Sequence, residues 1–152
     1  MDNECRVKLG DFGSARSYES NEFMNDGQRG TINYMSPEVI EGRNPSIKLD
    51  IWSFGCCLFE MITLAPLFDA RRPQARIIRE ISEFDADDIQ IGGDEFMKDL
   101  IKDMVRRNPI DRKDSYQLKE RLEDHIRSRA DTDREAQGKP LAKVRFSLLK
   151  HF

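Results

Sequence analysis

The strongest pattern in the chain is a run in which apolar side chains recur on nearly every side of a helix. From Asp50 to Thr63 it carries Ile51, Trp52, Phe54, Leu58, Phe59, Met61 and Ile62. A helix without a polar face is buried on all sides or lies in a membrane. The longest charge-free apolar stretch here, Ile51 to Phe59, is far shorter than the roughly 20 residues a bilayer requires. The segment is therefore expected to be the buried spine of a helical core.

Other elements arrange themselves around it. Arg6-Val7-Lys8-Leu9 alternates polar and apolar positions and breaks at Gly10 and Gly13, which predicts a short strand running into a tight turn. Residues 14 to 30 are rich in Ser, Asn, Glu, Asp and Gly, with Phe23 and Met24 as the large apolar anchors. A loop of that length in a compact domain usually has a function. Pro37 to Gly42 has proline at a first helical position, Glu38 in the first turn and glycine at the end, a short helix. Arg76 to Ile81 places Ile77, Ile78 and Ile81 at helical spacing. Asp94 can cap a helix with Phe96, Leu100, Ile101, Met104 and Val105 on one face, ending at Asn108-Pro109. Asp114 and Gln117 suit a capping box for a last helix through about Ile126. Beyond Arg127 the chain is charged and broken at Gly138 to Pro140, so residues 127–140 are expected to form a mobile tail. No internal repeat is present, and the pattern is that of a mainly α fold.

Composition narrows the class. At 152 residues, with 38% apolar and 35% charged residues, the chain suits one globular domain with a well-charged surface. A formal net charge of -3 gives no basic footprint for nucleic acid, and the opening residues carry no apolar run of a secretory signal. Cys5, Cys56 and Cys57 are an odd set with two adjacent members, so a disulfide framework is not expected and a reducing, intracellular setting (cytoplasm or nucleus) fits. His125 and His151 lie near no cysteine pair at zinc-ligand spacing. Trp52 and the Cys56-Cys57 pair are expected to be packing residues. Basic residues alternate with Leu141, Val144, Phe146, Leu148 and Leu149 near the end, which suits a solvated tail before a docking segment.

Four short signals carry chemistry. Lys8-Leu9-Gly10-Asp11-Phe12-Gly13 delivers a carboxylate into a turn where glycine is free to take unusual backbone angles, a way to hold a hard cation against phosphate oxygens. By itself this run reads more readily as a surface turn. Downstream stand Gly30-Thr31-Ile32-Asn33-Tyr34-Met35-Ser36-Pro37-Glu38, Asp50-Ile51-Trp52-Ser53-Phe54-Gly55 and Asn108-Pro109-Ile110-Asp111-Arg112. In this order and spacing the four resemble the D-F-G motif, the activation-segment end at A-P-E, the D-x-W-x-x-G start of the central helix and the N-P-x-x-R turn of eukaryotic protein kinases. The likeness covers roughly residues 6 to 126, with Ser36 where the family usually has alanine. Lys8 to Arg16 and Tyr34 to Glu38 further resemble the never-in-mitosis-related kinases.

The resemblance implies a kinase C-terminal lobe: a partial kinase domain over 1–126, with an activation segment at 11–38, a helical lobe at 39–126 and a charged tail at 127–152. It implies ATP and magnesium as cofactors, with Asp11 as metal ligand beside Phe12 and Gly13. It assigns Gly30, Thr31, Ile32 and Tyr34 to substrate positioning, and Thr31 favours a serine/threonine over a tyrosine kinase. Glu38 is expected to pair with Arg112, and Asp50 to accept hydrogen bonds from a catalytic loop. Ser17, Tyr18 and Ser20 are candidate phosphosites, although a solvated acidic loop accounts equally well for that stretch. Its partner would be a protein substrate, with no nucleic acid or membrane; the oligomeric state is left open. The family's glycine-rich loop, strand lysine and H-R-D loop all lie before D-F-G, where this chain has ten residues. The 152 residues alone are thus expected to be inactive, with surface around Trp52 and Leu58 uncovered. The alternative is a non-catalytic kinase-like module that binds a partner through this lobe.

Overall fold

The computed structural model describes Gly10, residues 31–43 and 46–136, with the backbone alone for 133–136. The strand expected at Arg6 to Leu9 and the loop at 14–30 lie outside the described residues. The described part is helical, with no strand: α1 (Pro37–Ile40), α2 (Leu49–Thr63), α3 (Gln74–Ser82), α4 (Glu95–Met104) and α5 (Ser115–Ala136), with 3-10 turns at Ile32–Tyr34 and Ala86–Asp88. The chain divides into two compact units, one ending at Asp114 and one starting at Ser115.

In the first unit α2 forms the spine. Asp50 sits in its first turn, where a negative charge favours the helix dipole. The helix ends at Leu64 in the left-handed conformation (φ 57°), just before Ala65-Pro66, where proline cannot continue it. One face of α2 supplies Trp52 and Cys56 to a core shared with Phe68, Ile77, Ile81, Ala86, Ile89, Ile101 and Val105. Burial in that core pushes the Cys56 thiol far above its usual range, while Cys57 next to it is exposed. Trp52 stacks on Phe68 at 6.1 Å and 9°, and Phe84 meets it edge-on at 5.8 Å and 83°.

The remaining helices follow the spacing of their apolar residues. Ile77 and Ile81, one turn apart, turn α3 inward. Asp94 Oδ1 accepts from Phe96 N at 2.9 Å, starting α4, which buries Leu100, Ile101 and Met104. α4 and α2 pack so closely that a Cβ at Gly55 would sit 2.7 Å from Val105 Cγ1 and 2.9 Å from Met104 Cβ. Gly55→Ala is therefore expected to cost about 1–3 kcal/mol by overpacking, read as a lower urea midpoint with an unchanged slope. An unchanged midpoint would contradict this close approach.

Three expectations are corrected. α2 is not buried on all sides: Phe54 is 57%, Met61 63% and Ile62 37% exposed, because the described core covers only the stripe through Trp52, Gly55 and Cys56. Of the surface expected to be uncovered around Trp52 and Leu58, Trp52 itself is fully buried, enclosed by this unit's own aromatic side chains, whereas Leu58 is only partly buried and Phe54 and Met61 on the same helix are exposed. α4 ends at Met104, short of Asn108-Pro109. The carbonyls of Arg106 and Arg107 there accept instead from Arg112, and Asn108 Oδ1 accepts from Ile110 N at 3.1 Å.

The second unit contains α5. It runs to Ala136, ten residues past the Ile126 end expected from sequence, so the region read as a tail begins as helix. No glycine or proline stands between Ser115 and Gly138. Arg127 Nη1 pairs with Asp124 Oδ1 at 3.0 Å, one turn back along the helix.

Candidate functional site

Of the residues assigned to chemistry from sequence, Asp11, Phe12, Gly13, Ser17, Tyr18, Ser20 and Gly30 lie outside the described residues. Those from Thr31 onward are placed. Thr31 O accepts from Tyr34 N at 3.0 Å and Ile32 O from Met35 N at 3.1 Å, closing a 3-10 turn that leads into Pro37 at the start of α1. Ile32 and Tyr34 pack against the core, while Thr31 is exposed.

Two bonds tie this loop to α2. Tyr34 OH donates to Glu60 Oε2 at 2.6 Å, and Ser53 Oγ donates to Tyr34 O at 2.8 Å. The phenol's pKa is raised, first because its proton is held by the Glu60 carboxylate, then by burial and by the charge of Glu60. Asn33 and Ser36, on either side of Tyr34 and Met35, are buried, and neither Asn33 Oδ1 nor Ser36 Oγ has a hydrogen-bond partner.

The other end of the loop is fixed by a buried ion pair. Arg112 Nη1 donates to Glu38 Oε1 at 2.9 Å and Nη2 to Glu38 Oε2 at 3.1 Å, a two-pronged fork between side chains 0% and 1% exposed. A guanidinium has five N–H donors, and here each has an acceptor. The other three go to the carbonyls of Lys48 (2.8 Å), Arg106 (3.0 Å) and Arg107 (3.5 Å). Lys48 Nζ donates in return to Arg112 O at 2.6 Å, and the guanidinium lies 5.2 Å from the centroid of the Trp52 ring. Burying a charge is tolerable only when it is paired and hydrogen-bonded, and this site meets both conditions. The pair thus joins the loop end, the turn before α2 and the turn after α4.

Asp50 is not part of this constellation; it is exposed at the start of α2, where water can solvate the carboxylate. Sequence reasoning missed Lys48, Ser53 and Glu60. Glu60 carries no local signal, because its partner Tyr34 stands 26 residues away. Among the described residues no group of His, Cys, Asp or Glu side chains could hold a metal ion, and no helix is long and apolar enough to cross a membrane.

The sequence profile of the protein kinase domain matches residues 1–122. This chain belongs to the protein kinase family. Curated relatives agree on the branch. Serine/threonine-protein kinase Nek9 of Xenopus laevis is 46% identical over 67 residues, 44% of this chain and 7% of that protein. Serine/threonine-protein kinase Nek3 of Oryza sativa subsp. japonica is 36% identical over 118 residues, 78% of this chain and 20% of its own length. A probable serine/threonine-protein kinase nek2 of Dictyostelium discoideum is 33% identical over 118 residues, 78% of this chain and 28% of its own. The kinase chain described here therefore spans from 7% to 28% of these relatives. All three carry the Nek name, the never-in-mitosis-related group to which Lys8 to Arg16 and Tyr34 to Glu38 point.

Proposed function

We propose that this chain is the C-terminal part of a kinase that transfers phosphate from ATP, with magnesium, to serine or threonine of protein substrates, within the cytoplasm or nucleus. The observation that carries the reading is the Glu38–Arg112 fork, which joins two motifs 74 residues apart in the arrangement the resemblance requires. The family match and the serine/threonine-kinase relatives support it. Residues 11–38 act in this reading as the activation segment and 39–126 as the helical lobe.

Asp11 is proposed as the magnesium ligand beside Phe12 and Gly13, with Ser17, Tyr18 or Ser20 as regulatory phosphosites. The metal and nucleotide would supply the phosphoryl group and neutralise its charge. Asp11, Phe12 and Gly13 lie outside the described residues. What this lobe's own residues do is position. Tyr34, held to Glu60 and Ser53, fixes the Thr31–Met35 loop on α2 as a shelf for the substrate chain.

The test is phosphotransfer from labelled ATP to a generic protein substrate by the product of the whole open reading frame. Activity is expected, and Asp11→Asn should lower it at least about a hundredfold. The 152-residue chain alone is expected to transfer nothing. Full activity of the Asp11→Asn protein, or none from the complete product, would overturn the reading.

A further inference from the structure

A groove of about 630 Å³ opens in the first unit between residues 41–43, 83–86 and 106–111, within the size range of ligand-binding clefts. Its charged lining is unevenly satisfied. Arg43 Nε lies 2.6 Å from Glu41 Oε2, Arg107 Nη2 lies 3.5 Å from Glu41 Oε1, and Arg106 Nη1 lies 2.9 Å from Asp87 Oδ2. Each guanidinium of the lining is thus engaged. The side chains of Glu83 and Asp111 are exposed and have no hydrogen-bond or ion-pair partner among the described residues. Phe84, half-buried, also lines the groove, its ring centroid 5.2 Å from that of Phe68 and 5.8 Å from that of Trp52.

We propose that this groove is a docking site for a basic peptide segment of a partner protein, an arginine or lysine of which extends over Phe84 between the Glu83 and Asp111 carboxylates. The guanidinium or ammonium would meet two carboxylates that have no partner among the described residues, and an aromatic ring, the combination that favours a cation with an aliphatic stem. An anionic ligand is disfavoured, because the arginines already hold acids and four carboxylates line the groove against three guanidiniums. The chain's net charge of -3 adds to the attraction. Two of the three segments are tied to the buried ion pair: Arg43 N donates to Glu38 O at 2.9 Å, and Arg112 takes the carbonyls of Arg106 and Arg107; the third is held by the Phe84 ring against Trp52 and Phe68. The groove therefore presents a held shape, so little ordering is required on binding.

The proposal concerns binding alone and does not depend on phosphotransfer. It is tested with the 152-residue chain and a fluorescein-labelled hexapeptide alternating glycine and arginine, followed by anisotropy. Saturable binding is expected, lost when citrulline replaces arginine. The double variant Glu83→Lys/Asp111→Lys should bind about tenfold more weakly or worse, since like charges across an interface repel. The neutral single variants Glu83→Gln and Asp111→Asn, which disturb folding least, should fall between. Asp88→Lys, an exposed acid outside the groove lining, should bind as the parent does. Circular dichroism confirms that each variant is folded. Binding untouched by the double variant, an equal loss in Asp88→Lys, or no binding by the parent chain each overturns the proposal.

Discussion

Replacing Arg112 with alanine is expected to destabilise the first unit by about 3–5 kcal/mol, the usual cost of stranding one partner of a buried ion pair. The loss is that large because the substitution leaves Glu38 charged at 1% exposure and frees three backbone carbonyls that Arg112 now satisfies. Arg112→Lys should recover only part of it, since an ammonium cannot reproduce the five-donor fork. A double variant, Glu38→Leu with Arg112→Met, removes both charges and should be less damaging than Arg112→Ala alone. Urea unfolding of the four proteins measures this directly. A single-variant loss below about 1 kcal/mol, typical of a surface pair, would show that the fork carries no buried charge.

Trp52→Ala is the second large effect, at about 3–5 kcal/mol. The indole is fully buried, stacked on Phe68, met edge-on by Phe84 and covered by the Arg112 guanidinium. Truncation opens a cavity that three neighbours cannot fill without losing their own contacts. Because Trp52 and Arg112 touch, the two alanine substitutions should not add, and the combined loss should fall short of their sum by about 0.5 kcal/mol or more. Strict additivity in a double-mutant cycle would argue against the stack. The loss in Trp52→Phe should be clearly smaller than in Trp52→Ala, because most of the ring volume remains.

The contrast between sequence and structure follows the range of the forces involved. α3 and the start of α4 were legible because their apolar residues recur at helical spacing and Asp94 stands where a cap is needed. The partnership of Glu38 with Arg112 was legible only through the motifs that flank each residue, since nothing in the 74 intervening positions encodes it locally. The α2 expectation failed for the opposite reason. Hydrophobicity records what a helix is able to bury, whereas the described core covers one stripe and leaves Phe54 and Met61 exposed. The early stop of α4 was hidden because its last turn is opened by carbonyls that Arg112 recruits from outside the helix. α5 outruns its expected end because a charged stretch without glycine or proline still propagates a helix, Arg, Glu and Ala being good helix formers. The links from Tyr34 to Glu60 and from Lys48 to the Arg112 carbonyl depend on tertiary placement and left no trace in the spacing.

The adjacent thiols on α2 have opposite surroundings, and that contrast makes the helix its own sensor. An alkylating reagent meets Cys57 at the surface of the folded protein, whereas Cys56 becomes reachable only when α2 lifts away from the side chains behind it. The delay between the two modifications, followed by peptide mass, clocks how often the spine detaches. That clock needs neither an engineered residue nor an active enzyme.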